Sequence, residues 1–402
     1  MRAAPRGAII CPHMKKVLGA VARFAKKEAV LCIAILLAVV SAFFVPPSAQ
    51  YLDYIDWDTI ALLFSLMAVM KGFQRAGLFS FLANKLLKRA DSSRKIMAVL
   101  VFAPFFFSMV VTNDVSLITF VPFALIVLKS AGLERLVIPT VVLQTLAANL
   151  GSMLTPIGNP QNLYLFNSSG MSFGQLVLIM LPYVALSGAG LLAALFFFKS
   201  APVQGVEVTS SLGNAFSLGW PAAFFAVCLL GLFDVIPTLI IAAAVLVFLL
   251  IVDRKTLCAV DYSLLGTFVA LFIFIGNIGN IPAFRDFLSS VIHGHEELVA
   301  VLASQVMSNV PAALLLSGFS SEWGALIVGC NIGGLGTLIA SMASLISYKF
   351  VARDYPAWRL KYLLQFTVYN VCFLALLICL SIALSYLLSL IHISEPTRLQ
   401  LI

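Results

Sequence analysis

The segment TPIGNPQN at residues 155–162 places two prolines, a glycine and four polar side chains between long apolar runs. Proline and glycine interrupt a helix, and the backbone groups that they free cannot face lipid. A broken helix presents carbonyl groups, which attract a cation, and amide N–H groups, which attract an anion. The segment therefore predicts an ion-binding site more strongly than a simple proline kink. Its candidate residues are Asn149, Thr155, Pro156, Gly158, Asn159, Pro160 and Asn162.

Two short polar motifs, TND at residues 112–114 and SN at residues 308–309, lie between apolar pieces too short to cross a bilayer. We expect each motif at the turn of a re-entrant hairpin, near the membrane midplane. Such residues also cap helices well, so capping is the alternative. Oxygens of hydroxyl, amide and carbonyl groups that face a broken helix would form a sodium cage. The residues predicted for this cage are Thr112, Asn113, Ser308 and Asn309.

Asp114 is the one carboxylate that the sequence places deep in the membrane. An ionisable residue at that depth is a functional candidate by default. It is predicted to carry a proton or to neutralise a bound cation, with helix capping again as the alternative. Lys71 and Arg75 close an earlier apolar run, and both are predicted to snorkel to the interface. Contact between Arg75 and an anion is the alternative.

A second break is expected in NIGGLGTLIASMAS at residues 331–344, which is rich in glycine rather than proline. Close packing of helices through small residues is the alternative explanation for these glycines. Its alignment with the first break favours a binding role. The candidate residues here are Asn331, Gly334, Gly336, Thr337 and Ser341.

The elements that carry these motifs belong to a membrane protein. Of the 402 residues, 61% are hydrophobic and 10% are charged, whereas soluble domains carry about 25% charged residues. Apolar runs long enough to span a bilayer recur along the chain, so we predict an all-α polytopic membrane protein in the lipid bilayer. The net charge of +8 then reflects membrane orientation and gives no reason to expect a nucleic-acid partner.

The sequence lacks the motifs of several functional classes. The seven cysteines include no CxxC pair and are read as small apolar residues of membrane helices. The sequence contains no GxxxxGK[ST] motif, which argues against an ATP-driven pump. No nucleophile–base pair, metal cluster or cofactor motif is apparent. We therefore expect no enzyme and no cofactor other than Na+ or H+ as a coupling ion.

Three pairs of segments resemble each other in the same order, which indicates an internal duplication. These pairs are 55–72 with 260–277, 110–123 with 306–319, and 149–162 with 331–344. Basic residues flank the first hairpin and acidic residues flank the second, so the hairpins are predicted to open on opposite sides. With nine crossings and a linking span near residues 218–233, the second half is inverted. This inverted repeat with two broken helices is the plan of many secondary transporters.

The predicted boundaries follow from this plan. We expect a cytoplasmic segment at residues 1–28, a first repeat at 29–200, a linker and connecting span at 201–235, and a second repeat at 236–390. The polar tail at 391–402 fits nothing upstream and is read as non-native. The protein is predicted in the cytoplasmic (inner) membrane, multi-pass, with its N-terminus in the cytoplasm, and a homodimer is compatible with this plan.

The two tips and the TPIGNPQN segment resemble the ion transporter superfamily over about residues 25–390. That superfamily holds divalent anion:sodium symporters, citrate transporters, arsenite permeases and a sodium/proton antiporter branch. The resemblance implies that the tips and broken helices bind sodium and substrate carboxylates. Asp114 and Val310 stand where the dicarboxylate transporters have threonine. The TND form is closer to the arsenite and antiporter branches, which favours proton coupling.

The sequence therefore favours a secondary active transporter of a small anion, coupled to a sodium or proton gradient. The alternative is a sodium/proton antiporter or an arsenite-type efflux permease. A channel is a weaker explanation, because opposed hairpins suit alternating access.

The opposed hairpins give a test of topology. Single cysteines placed beside Glu296 and Glu322 should react with an impermeant thiol reagent added outside the cell. Cysteines beside Lys95 and Lys129 should react only after the membrane is permeabilised, because basic loops stay in the cytoplasm. Labelling of both pairs from one side would contradict the inverted repeat.

Overall fold

The computed structural model describes residues 28–88, 90–203 and 211–394. The predicted basic segment before residue 28 and the end of the polar tail after residue 394 lie outside the described residues. The described part of the chain is helical, with nineteen α-helices, three 3-10 helices and no β-strand. The prediction of an all-α fold is confirmed.

The helices of the first half, in chain order, are α1 (Ala29–Ala42), α2 (Gln50–Asp53), α3 (Trp57–Arg75), α4 (Leu78–Leu87), α5 (Ser93–Phe107), α6 (Asn113–Ser130), α7 (Val137–Ser152), α8 (Pro160–Ser169) and α9 (Phe173–Phe196). The helices of the second half are α10 (Ala215–Leu232), α11 (Thr238–Val252), α12 (Arg254–Leu257), α13 (Tyr262–Gly279), α14 (Pro282–Ile292), α15 (Glu296–Met307), α16 (Asn309–Ser317), α17 (Trp323–Gly333), α18 (Met342–Asp354) and α19 (Arg359–Ser394). The 3-10 helices are Glu134–Leu136, Pro156–Gly158 and Pro356–Trp358.

Several of these helices are long and apolar enough to cross a membrane. Within the described residues, α6, α9, α10, α13 and the segment Pro356–Leu387 meet this criterion, and α3 with α4 would make a sixth. The axis bends by 52° between α3 and α4, as expected if α4 is an arm that leaves the span. The shorter apolar helices α1, α11 and α17 need a neighbouring segment or a locally thinner bilayer to complete a crossing.

The first hairpin consists of α5 and α6, joined by residues 108–112. Pro104 has no N–H, so the carbonyl of Leu100 loses its usual helical donor. The buried amide of Gln144 on α7 donates to this carbonyl at 2.8 Å and to the Phe120 carbonyl of α6 at 3.3 Å. One side chain of α7 thus ties both arms of the hairpin together.

The second arm of this hairpin is longer than expected. The sequence predicts an apolar arm too short to cross a bilayer, whereas α6 has 18 residues and is long and apolar enough to span one. The helix starts early because Thr112 caps it by accepting from the Val115 amide at 3.5 Å, and it continues through Lys129 into the basic loop.

The same packing recurs in the second half. α5 packs on α7, and α15 packs on α17. The second hairpin consists of α15 and α16. The first broken helix consists of α7 and α8, and the second consists of α17 and α18. The second arm of each hairpin packs on the broken helix of the other half, α6 on α18 and α16 on α8. Equivalent hydrogen bonds support the duplication: Thr155 Oγ1 donates to the Met109 carbonyl at 2.5 Å, and Thr337 Oγ1 donates to the Gln305 carbonyl at 3.1 Å.

The two hairpins and the two broken helices form a central group. This group is surrounded by α1, α3, α10, α11 and α13. α3 packs on α10 and α11, and α1 packs on α13. Arg75 at the end of α3 donates to Asp253 at 2.8 Å and to Thr256 at 2.6 Å. Burial raises the pKa of Asp253, but hydrogen bonds from Thr256 and Arg75 outweigh it and hold that pKa below its ordinary value. Arg75 therefore fastens α3 to the loop after α11.

Gly151 allows α7 to approach α5 closely. A Cβ at this position would overlap the Phe105 carbonyl oxygen and lie 2.7 Å from Ser108 Oγ. We expect Gly151→Ala to lower stability by about 1–3 kcal/mol, because backbone must shift. The melting temperature of purified protein in detergent measures this effect. Gly174→Ala is the matched control, since nothing lies within 4 Å of that site, and an equal loss in both variants would contradict the close approach.

Candidate functional site

The two broken helices meet at the centre of the protein through Asn149 and Asn331. Asn149 lies in the last turn of α7 and is 4% exposed, and Asn331 lies in the last turn of α17 and is 2% exposed. Asn149 Oδ1 accepts from Ser341 Oγ at 3.0 Å, and Asn149 Nδ2 donates to Ser344 Oγ at 3.3 Å. Both serines belong to the broken helix of the second half.

Asn331 makes the reciprocal contacts with the first half. Its Nδ2 donates to Asn162 Oδ1 at 2.6 Å, and its Oδ1 accepts from Asn159 Nδ2 at 3.4 Å. In the sequence alignment of the two halves, Asn159 and Asn162 stand where the second half has Ser341 and Ser344. Each half therefore reaches across and bonds the same two positions of the other half.

The first hairpin tip joins this network. Asn113 Nδ2 donates to Asn149 Oδ1 at 3.0 Å, while Asn113 Oδ1 accepts from the Asp114 amide at 2.9 Å. Thr112 caps α6, so capping and site lining coexist in this residue. The prediction that the first tip faces the first break is consistent with these contacts.

The second tip lies against the second break. The backbone N–H of Asn309 donates to the Ala340 carbonyl at 3.0 Å, and Ser308 Oγ donates to the same carbonyl at 3.4 Å. Ser308 has φ +75° and ψ 152°, a backbone region that is almost reserved for glycine and is found at functional sites. The four residues proposed for sodium thus form two groups, Thr112 with Asn113 and Ser308 with Asn309. Sodium binding at either group stays a prediction.

The carbonyls freed at the breaks already have donors. At the first break, Asn162 Nδ2 lies within 3.3 Å of the carbonyls of Ser152, Met153 and Thr155. At the second break, Gln305 Nε2 donates to the carbonyls of Gly333 at 2.8 Å and Leu335 at 2.9 Å.

The remaining predicted residues shape the breaks. Pro156 begins the 3-10 helix of the first break, and Gly158 is held against the carbonyls of Ser152 and Ser108. Gly334 faces the Asn309 amide, where a Cβ would lie 2.9 Å from Nδ2. Gly336 has φ +102°, so glycine is required there by the backbone conformation.

A small cavity of about 50 Å³ opens beside the first break and the first tip. Its polar lining comes from Lys71 of α3, Thr112 and Asp114 at the first tip, Asn159 at the break, and Asp261 before α13. The rest of its wall is apolar and includes Pro160, the first residue of α8. Asn159 Oδ1 is buried and has no hydrogen-bond partner within the described structure.

Lys71 and Asp261 belong to this cavity although we did not predict them. Lys71 was expected to snorkel to the interface, but it lines the cavity together with Asp114. Asp114 is therefore not the only carboxylate at the site. The repeated acid–aromatic pairs at 56–57 and 261–262 were the available signal for Asp261. The second hairpin tip and the glycine-rich break do not line this cavity.

A helical membrane protein with two broken helices, two hairpins and a charged central cavity has the architecture of a secondary transporter. Residues 17–321 match the family model for the citrate transporter. The chain belongs to the citrate transporter family, and the resemblance to the ion transporter superfamily is confirmed.

Similar proteins support the same class. The chain is 33% identical to inner membrane protein YbiR of Escherichia coli over 341 residues, which cover 81% of this chain and 88% of the relative. It is 34% identical to uncharacterized transporter MJ0456 of Methanocaldococcus jannaschii over 304 residues, 73% of this chain and 81% of the relative. A putative transporter arsB of Dictyostelium discoideum is 30% identical over 119 residues, 30% of this chain and 21% of the relative. The protein is a multi-pass membrane transporter.

Asn149 and Asn331, each of which bonds the other half of the protein, are the crossed asparagines. Substitution of Asn331 tests whether they belong to the functional site. Asn331→Ala removes the acceptor of Asn159 and the donor of Asn162, and each unsatisfied buried group costs about 1–3 kcal/mol. We expect a lower melting temperature and loss of transport. Asn280→Ala is the control, since Asn280 is exposed at the end of α13 and donates to Tyr54 and the Gly276 carbonyl. Unchanged transport in Asn331→Ala would remove this residue from the site.

Proposed function

We propose that this protein moves a small anion across the cytoplasmic membrane together with a proton or a sodium ion. The observation that carries the proposal is the cavity at the first break, which holds one ammonium group and two carboxylates, Lys71, Asp114 and Asp261.

The balance of charge supports coupling. Like charges about 4 Å apart repel by about 4 kcal/mol at an effective dielectric constant of about 20. An anion that enters beside two ionised carboxylates is therefore repelled more than Lys71 attracts it. A proton or sodium ion on Asp114 removes one of the two repulsions and leaves Lys71 and Asp261 in balance, so the anion binds well only after the cation. Binding in this order links the two fluxes.

Other features of the cavity suit an anion. α8 begins at Pro160 on the cavity wall, and the positive end of its helix dipole lies there. Lys71 lies one turn before Arg75, which bonds Asp253 and Thr256 on either side of the basic residues Arg254 and Lys255. Because basic loops stay in the cytoplasm, we assign the mouth of the cavity to the cytoplasmic side.

A second candidate function is a sodium/proton antiporter or an arsenite-type efflux permease. The excess of carboxylates in the cavity favours a cation or an uncharged oxyacid over a bare multivalent anion. The local similarity to a protein named putative transporter arsB points in the same direction.

Transport assays separate these functions. A thermal-shift panel of carboxylates, oxyanions and cations selects ligands, since ligands stabilise the folded protein by mass action. Uptake of each selected ligand into proteoliposomes is then measured with a sodium gradient, a pH gradient or neither. Gradient-driven anion accumulation supports the proposal. Sodium-dependent proton movement without any anion supports the antiporter.

Asp114→Asn tests the coupling role. Asparagine keeps the shape of the side chain but removes its charge, and the cap of α6 stays in place because Thr112 provides it. We expect gradient-driven accumulation to be lost and residual exchange to stop responding to pH. Uptake and exchange at several pH values measure this effect.

Asp91→Asn is the matched control. Asp91 is exposed and pairs with Lys95 at 2.7 Å, away from the cavity, so its variant should transport like the wild type. A wild-type pH profile in Asp114→Asn would exclude Asp114 from the coupling role.

A further inference from the structure

We propose that Lys71 is a tethered cation that competes with the coupling cation for the Asp114 carboxylate. This inference rests on the proposed function and deepens it, because it assigns a role to a charged side chain that opposes cation binding. The cation itself is assigned to a site made by Asp114, Thr112 and Asn159.

The cation site has the donors that a hard cation prefers. Asp114, Thr112 and Asn159 line one cavity and offer carboxylate, hydroxyl and amide oxygens, the ligand type of alkali and alkaline-earth ions. Asn159 is 3% exposed, and its Oδ1 has no partner within the described structure. A buried acceptor of this kind gains most from a ligand, because leaving it unmet is unfavourable.

Lys71 is held near this site but not on it. Among the described residues, no ion pair joins Lys71 to a carboxylate. Its ammonium donates instead to Gln74 Oε1 at 3.3 Å. Gln74 is fixed in turn, because its Nε2 donates to Thr119 Oγ1 of α6 at 3.1 Å. Gln74 thus provides a second resting place for the ammonium beside the helix that carries Asp114.

The ammonium therefore has a hydrogen-bond partner on its own helix, Gln74, and shares the cavity lining with the carboxylates of Asp114 and Asp261. A lysine side chain has a flexible four-carbon stem and a compact charge, and Lys71 is attracted electrostatically by both Asp114 and Asp261. When the Asp114 carboxylate binds neither a proton nor a sodium ion, it attracts the Lys71 ammonium. When a proton or sodium ion neutralises Asp114, that attraction disappears and Lys71 returns to Gln74, where it can meet the anion.

Competition of this kind makes a definite contribution to coupling. The lining holds two carboxylates and one ammonium, so its own charge is negative when all three groups are ionised. A proton or sodium ion on Asp114 neutralises this excess and releases Lys71 from Asp114. The released ammonium can then attract the anion, so Lys71 opposes cation binding but favours the anion once the cation is bound.

Cation binding without any anion is the direct test. The melting temperature of the purified protein is recorded against sodium concentration at fixed pH, and against pH in a sodium-free choline buffer. A cation that binds the folded protein stabilises it, and the midpoint of each curve reports its affinity. Since no anion is present, the result does not depend on whether the protein transports one.

Opposite shifts in two variants are expected. Lys71→Gln removes the competitor, so the sodium midpoint should fall about tenfold or the pH midpoint should rise by about one unit. Gln74→Leu removes the resting place of the ammonium and should shift the same midpoint in the other direction. Lys71→Arg keeps the charge and should stay close to the wild type, and Lys85→Gln removes an exposed charge outside the cavity and should change nothing.

Several outcomes would overturn the proposal. Unchanged midpoints in Lys71→Gln would show that the lysine does not compete. Shifts of the same sign in Lys71→Gln and Gln74→Leu would indicate a general structural effect. A wild-type protein that responds to neither sodium nor protons would have no cation site to compete for, even if it transports an anion.

Discussion

Asn149 and Asn331 each form hydrogen bonds to the broken helix of the other half, and the rest of this structure depends on this constraint. A helix that breaks inside a membrane exposes donors and acceptors that lipid cannot satisfy. Here each break uses polar positions of the other, Ser341 and Ser344 for Asn149, and Asn159 and Asn162 for Asn331. Neither break is complete alone, so the two halves must fold together.

The two breaks satisfy their freed carbonyls by different means. In the first half, Asn162 reaches back to the end of α7. The second half has Ser344 at the equivalent position, which is too short for this task, and Gln305 of the hairpin closes the break instead. The first half has Met109 where the second has Gln305. The first hairpin therefore has no side-chain amide at this position to bond the freed carbonyls. Asn159 Oδ1 has no hydrogen-bond partner within the described structure and lies beside the cavity.

Sequence patterns located the breaks and the tips, because proline, glycine and clustered polar residues are locally anomalous in an apolar chain. The role of Lys71 could not be found in this way. Its position at the end of an apolar run is equally typical of a snorkelling residue, and only the approach of α3 to the first tip places it in the cavity. Gln144 and Gln305 were missed for a related reason. Each supplies hydrogen bonds to carbonyls far away in sequence, 44 residues for Gln144 and Leu100, and no local pattern marks such a partner.

The same contacts limit how the protein can change shape. Separating the two broken helices would leave several buried amides unsatisfied, at about 1–3 kcal/mol each. By contrast, α3 meets the central group partly through the cavity itself, where Lys71 and Asp114 face each other across a gap rather than in an ion pair. The free-energy barrier to motion is therefore lower at the cavity than at the crossed asparagines. We therefore expect any change of shape to preserve the bonds of Asn149 and Asn331 and to shift the contacts around Lys71.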